Sequence, residues 1–233
     1  MLWLIVSLRR NSPAGRGGWW SALALFAYAA GFSYAYVSLP AATGALLLFG
    51  AVQVTMIGHG IRSGERLGAI QIIGLLLAVA GLVVLLLPGL AAPSLTGALL
   101  MLAAGVAWGV YSLRGRGGGD PTRVTAGNFL RAAVIAAGLS LVTYADARLD
   151  DAGVGYAITS GALASALGYA IWYSVLPALK DTSAATVQLS VPVLAALGGI
   201  VFLGESLTPR LTLASLAILG GIALVILKAP ARN

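Results

Sequence analysis

Residues 67–87 read LGAIQIIGLLLAVAGLVVLLL, a run of twenty-one with no charged side chain. A helix needs roughly 20 apolar residues to cross a hydrocarbon layer about 30 Å thick, and this run supplies them. Seven further stretches of like character surround it: 17–37, 41–61, 94–113, 124–145, 152–174, 183–203 and 208–228. Outside them lie only the first 16 residues, short connections and a five-residue tail, so no extramembrane domain fits. Continuous apolar runs of this length exclude an outer-membrane barrel, whose strands alternate over about ten residues. The expected fold is an all-α integral membrane protein, a polytopic helical bundle of eight full spans.

Composition leads to the same place. Of 233 residues, 59% are hydrophobic and 9% are charged, and the mean hydropathy is +0.95. A soluble domain carries about 25% charged residues. There is too little polar side chain here to coat a water-soluble globule, which excludes a cytosolic enzyme and a disordered chain. The lack of cysteine removes disulfide frameworks, thiolate metal sites and cysteine nucleophiles together. A single histidine, His59, cannot build a metal site alone, so neither metal nor cofactor is expected. The net charge of +7 and the pI near 10.1 reflect few acids and basic loops. No basic stripe with interleaved aromatics is present, and no nucleic-acid partner is expected.

The basic residues also orient the chain. With residues 9–16 in the cytoplasm and sides alternating, the cytoplasmic loops hold Arg9, Arg10, Arg16, Arg62, Arg66, Arg114, Arg116, Arg123, Lys180, Lys228 and Arg232. The opposite side holds Arg148 and Arg210, and Arg131 lies within a span. Eleven against two is the positive-inside bias, which predicts both termini in the cytoplasm. Residues 1–8 are too short to cross and read as the end of a helix closed by Arg9 and Arg10. The alternative is a signal peptide ending near Ala27–Ala30, at the cost of a helix that the repeat described next requires.

Two stretches look alike. Gly64-Glu65-Arg66-Leu67 precedes Gly74 and Gly81, and Gly204-Glu205-Ser206-Leu207 precedes Gly220-Gly221, so Glu65 pairs with Glu205 and Gly81 with Gly221 at an offset of 140. Pro40-Ala41-Ala42-Thr43 matches Ser183-Ala184-Ala185-Thr186 at an offset of 143. Five spans separate the two Gly-Glu turns, so the turns face opposite sides and the repeat is inverted, an architecture of secondary transporters. Residues 1–90 are then an incomplete first repeat with three spans, and residues 91–233 a second repeat with five. A first helix and most of a second are expected to be missing through a misplaced start or a fragment; a genuine eight-span protein is the alternative.

Several short motifs carry a resemblance. They are Phe49-Gly50-Ala51-Val52-Gln53, the Gly64-Glu65-Arg66-Leu67 turn, and Gly105-Val106-Ala107-Trp108-Gly109-Val110-Tyr111-Ser112. Thr125-Ala126-Gly127-Asn128-Phe129-Leu130-Arg131 and Gly168-Tyr169-Ala170-Ile171-Trp172-Tyr173 follow, then Gln188-Leu189-Ser190-Val191-Pro192 and Gly204-Glu205. Together, from residue 17 onward, they resemble the drug/metabolite transporter superfamily in its EamA-type branch. The resemblance implies ten helices in two five-helix repeats, from which this chain departs at its N-terminus. It also implies a multi-pass protein of the bacterial inner membrane that carries a small organic solute.

Polar side chains facing lipid are expensive, so those inside spans line a cavity or another helix. The substrate-binding candidates are Gln53, Trp108, Tyr111, Asn128, Arg131, Tyr169, Trp172 and Gln188. Asn128 and Arg131, three residues apart, share a helix face. Arg131 either snorkels to the surface or offers its guanidinium to an anionic solute. The four aromatics are interfacial belt residues or cavity walls, and the resemblance favours cavity for Trp108 and Trp172. Gln53 and Gln188 are cavity hydrogen-bonders or interhelical glue. Pro192, ten residues into its span, should kink that helix and free carbonyls, as suits a gate.

Glu65 and Glu205 sit in turns at helix starts, where capping is the expected role and proton coupling the alternative. His59 reads as a satisfied interfacial histidine. The spacings Gly105–Gly109, Gly161–Ser165 and Ala164–Gly168 should permit close helix contact. The expected function is secondary transport of a small metabolite, such as an amino acid, by alternating access. A membrane enzyme built on Asp146, Asp150 and Asp151 is one alternative, although these read as a solvated loop without catalytic partners. A truncated, non-transporting membrane protein is another, and for an eight-span chain the expectation is either a homodimer that completes the cavity or no transport.

Overall fold

The structure is a computed structural model that describes residues 16–87, 94–115, 120–146, 150–203 and 206–227. Among the described residues all regular structure is helical. The helices are α1 (Trp19–Ala35), α2 (Ala41–Arg62), α3 (Ala69–Leu86), α4 (Leu95–Arg114) and α5 (Pro121–Val142). They continue with α6 (Asp151–Ile158), α7 (Ala166–Val175), α8 (Asp181–Val187), α9 (Ser190–Leu203) and α10 (Pro209–Leu227). A π-helical turn, Thr159–Ser165, joins α6 to α7, so the two form one continuous rod.

Among the described residues, seven helical stretches are long and apolar enough to cross a membrane: α2, α3, α4, α5, Asp151–Ala178, Asp181–Phe202 and α10. This is a multi-pass helical membrane protein. The expected first span, 17–37, folds as α1 with 17 residues. That length rises about 25 Å, short of the hydrocarbon thickness, because Gly17 and the turn after Ala35 close it at both ends.

Local chemistry sets the boundaries. Asp120 caps α5 by accepting from the N–H groups of Thr122 (2.8 Å) and Arg123 (3.0 Å), and Pro121 fills the first helical position, where no N–H is needed. The helix therefore starts three residues earlier than the apolar run. Asp150, expected in a solvated loop, instead caps α6 through the Gly153 N–H. After α2 the chain turns at Gly64, whose φ of +91° is a left-handed conformation that glycine adopts without strain.

The helices sort into two compact units. One runs to Ala29 and resumes over Val110–Ala178; the other covers Ala30–Gly109 and continues from Leu179. In the first unit α5 packs on α7 through Ala126, Ala166, Phe129 and Ala170. No residue of α6 is buried.

In the second unit α3 lies antiparallel along α10. A Cβ at Gly74 would sit 2.7 Å from the Gly221 carbonyl, and one at Gly221 would collide with the Gly74 carbonyl in return. The seam continues at Gly81 against Ala214 and Ala217, and at Gln71, whose Nε2 donates to the Val225 carbonyl at 3.3 Å. Above it Ala78, Leu82, Leu189, Val193, Ile218 and Ile222 form the core. Gly105 and Gly109 bring α4 against α2, where added Cβ atoms would meet Ala51 and Thr55 at 2.6 and 2.8 Å. The other two small-residue spacings do not behave as expected. Gly161 and Gly168 face open space, on a rod whose π-helical turn changes the register that the spacing assumes.

Candidate solute-binding residues

Within the second unit, the expected span 183–203 is broken. α8 ends at Val187, α9 begins at Ser190, and Gln188 and Leu189 form a turn between them. Pro192 lies four residues beyond Gln188. It has no N–H to offer the Gln188 carbonyl, and its ring crowds that carbonyl. The backbone tightens in response: the N–H groups of Gln188, Leu189 and Val191 reach the carbonyls of Ala185, Thr186 and Gln188, three residues back. Side chains then serve the neighbouring carbonyls. Gln53 Nε2 donates to Ala185 O at 2.7 Å, Gln188 Nε2 to Ala184 O at 3.3 Å, and Ser190 Oγ to Val187 O at 2.7 Å.

Three of the eight candidates meet at this break. Gln53 and Gln188 are both buried. Trp108 Nε1 donates to Gln188 Oε1, and Gln188 Nε2 also reaches the Met56 sulfur at 3.2 Å. Gln53 Oε1 is buried and accepts no hydrogen bond, so an acceptor remains available in an apolar setting where unmet hydrogen bonds are costly. Met56 was not among the sequence candidates, since a lone methionine in an apolar helix carries no polar signal.

The first unit holds the other five. Tyr111 and Asn128 are fully buried, and Asn128 Nδ2 donates to the Tyr111 hydroxyl at 3.4 Å. Tyr111, Tyr169 and Tyr173 form a three-ring cluster with centroids 5.4–6.2 Å apart, and Phe129 packs edge-on against Tyr169 at 5.0 Å. Trp172 Nε1 is buried without an acceptor. Asn128 and Arg131 share a face, and both bind the backbone that enters α1. Asn128 Oδ1 accepts the Gly18 N–H at 2.9 Å, while Arg131 Nη1 donates to Arg16 O at 2.5 Å and Gly127 O at 2.8 Å. The Arg131 guanidinium also lies 5.8 Å from the Trp19 ring centroid. Here the pair staples residues 16–18 to α5. A Cβ on Gly17 would come within 2.7 Å of the Val124 carbonyl, so only glycine permits this approach.

Glu65 caps a helix, though not the one that follows it. Its carboxylate accepts from the Asp181 N–H (2.7 Å), the Thr182 N–H (3.2 Å) and the Thr182 hydroxyl (2.7 Å) at the start of α8. Asp181, which the sequence does not single out, is buried and lies 2.6 Å from His59 Nδ1. Glu205 falls outside the described residues.

A multi-pass bundle with buried amides at an interrupted helix has the features of a membrane transporter class. The chain belongs to the EamA-like transporter family, whose pattern its residues 95–227 match. An uncharacterized protein of Pseudomonas aeruginosa is 62% identical over 228 residues, covering 97% of this chain and 79% of that protein. The threonine/homoserine exporter RhtA of Salmonella typhimurium is 35% identical over 155 residues, 64% of this chain and 52% of the exporter. RhtA of Escherichia coli K12 is 33% identical over 128 residues, 54% of this chain and 43% of the exporter. The matched stretch thus spans about half the length of the two exporters. A solved crystal structure shares the fold with a TM-score of 0.76 at 24% identity, over 91% of this chain and 76% of that one.

Proposed function

We propose that the protein is a secondary transporter of a small organic solute of the amino-acid class, working by alternating access across a bacterial inner membrane. The observation that carries this is the Pro192 break, with Gln53, Trp108 and Gln188 gathered at it inside an apolar unit. Discontinuous helices at the middle of a membrane are where transporters expose polar groups to a solute. Family membership supports the class, and the threonine and homoserine named for the RhtA relatives supply the first solutes to try.

In this reading Gln53, Trp108 and Gln188 contact solute. Asn128 and Arg131 act as positioning residues, and no catalytic step is involved. α1 serves as a short eighth span. The inverted repeat draws support from its own register: α3 and α10, equivalent at the offset of 140, pack antiparallel on each other. Both termini are proposed to be cytoplasmic, on the bias of the basic loops.

The test is uptake of radiolabelled L-threonine by proteoliposomes containing the purified chain. Saturable uptake that homoserine competes, and that Trp108→Ala lowers about tenfold, a loss of roughly 1.4 kcal/mol, supports the proposal. Uptake equal to that of protein-free liposomes overturns the amino-acid reading. Uptake that Trp108→Ala and Gln53→Leu leave unchanged overturns the site.

A further inference from the structure

The cluster that joins the end of α2 to the start of α8 is unused by the function proposed above. Asp181 opens a membrane-crossing stretch, and only 5% of its side chain is exposed. A carboxylate buried to that degree needs a counter-charge or a proton. His59 provides the partner: its Nδ1 lies 2.6 Å from Asp181 Oδ2, within hydrogen-bond distance. The imidazole is 54% exposed, so the ring can exchange its second proton with water.

Glu65 adds a second carboxylate at the same helix start, held by its three donors on Asp181 and Thr182. Glu65 Oε2 and Asp181 Cβ both crowd Gly60, standing 2.7 and 3.1 Å from where a Cβ would be. The local charge therefore depends on His59. Charged, it sets one positive charge beside two carboxylates at the same helix start; neutral, it withdraws that charge. Among the described residues, the charged groups adjacent to the cluster in sequence are Arg62 on α2, Arg66 in the turn and Lys180 before α8, while Ser63 Oγ lies 3.4 Å from His59 Nδ1. α10, which also packs on α8, carries no titratable side chain between Arg210 and Leu227.

α8 is fitted to respond. It is seven residues long, held at one end by this cluster and parted from α9 at the other by the Gln188–Leu189 turn. We propose that His59 and Asp181, with Glu65 beside them, form a proton-binding site that clamps α8 to α2 when protonated and releases it when the proton leaves to water. The transfer is from hydronium or buffer to the imidazole, with no other bond made or broken. Protonation of the imidazole gives a charge-assisted bond to Asp181; loss of the proton leaves a neutral and weaker hydrogen bond in its place. Coupling of this proton to solute movement would rest on the transport reading, whereas the clamp itself does not.

Because the chain contains no cysteine, two introduced cysteines are the only labelling sites. Spin labels on Ile61→Cys and Leu179→Cys, in the full chain in lipid nanodiscs, report the α2–α8 separation by electron–electron double resonance at pH 5.5 and 8.5. The expected result is a shift to longer, broader distances at pH 8.5, lost in His59→Gln. His59→Arg, a permanent cation, should hold the short distance at both pH values. A parental distance that ignores pH, or a shift that survives unchanged in either His59 variant, overturns the proposal. No solute is present, so a negative threonine assay and a negative result here remain separate failures.

Discussion

α2 and the α8–α9 pair correspond by the sequence match at an offset of 143, and under the proposed repeat they would be counterparts, yet one is continuous and the other broken. α2 runs unbroken for 22 residues, while its counterpart parts at Gln188–Leu189. The register shows why. Position 192 is proline; its partner, 143 residues earlier, is Phe49, which keeps its N–H and packs on the core formed around Leu82 and Val193. The unbroken helix then supplies Gln53 to a carbonyl beside the break in the broken one. Two stretches matched in sequence thus differ in form. One provides the strut, and the other provides a buried break whose neighbouring carbonyls are met by side chains. Buried polar side chains in a membrane protein are expected where a backbone has been interrupted, and two of the three buried glutamines, Gln53 and Gln188, occur where one has; the third, Gln71, bonds the Val225 carbonyl across the α3–α10 seam.

The comparison can be broken by making the two copies alike. Phe49→Pro should interrupt α2 as Pro192 interrupts its counterpart, at a cost of about 3 kcal/mol or more. Phe49→Ala separates the loss of ring packing from the loss of the helix. Thermal unfolding in detergent reads both, and equal losses in the two variants would show that the α2 backbone tolerates the break. Gln188→Leu should cost about 1–3 kcal/mol, since Ala184 O and Trp108 Nε1 lose a partner together; an unchanged unfolding midpoint would mean that water replaces the amide. Pro192→Ala has the smallest expected effect on stability, under about 1 kcal/mol, because a propensity gain is offset by disturbed Gln188 contacts. Its readout is hydrogen exchange at the Gln188 and Leu189 amides, which should slow. Exchange as fast as in the parent would assign the break to the Gln53–Ala185 bond instead.

The spans were legible because hydropathy is a local property: twenty apolar residues declare a crossing wherever their neighbours are. Caps were legible in part. Asp120-Pro121 is a local start signal, but Glu65 caps a helix 116 residues away, and nothing near Glu65 names that target. The same distance in sequence hid Asp181 beside His59, 122 residues apart. Residue type pointed to Gln53, Trp108 and Gln188, since polar groups inside apolar runs must be satisfied somewhere. It pointed equally to Asn128 and Arg131, whose partners include backbone atoms of residues 16–18 besides the Tyr111 hydroxyl and the Gly127 carbonyl. Backbone partners leave no trace in side-chain chemistry. The Gly161 and Gly168 spacings misled for a related reason, as a π-helical turn is invisible in a count of residues.

The contact between Gly74 and Gly221 also bears on how this sequence can change. Each glycine lies against the carbonyl of the other, so there is no side chain at the point of contact to be traded for a slightly larger or smaller one. Every codon change that alters either residue adds a Cβ where a backbone oxygen already stands, and no single compensating step at the partner can make room. Drift at this seam is closed in both directions. The two helices are inherited as a block, and descendants that diversify their solute contacts are expected to keep this pair of glycines while the residues around them turn over.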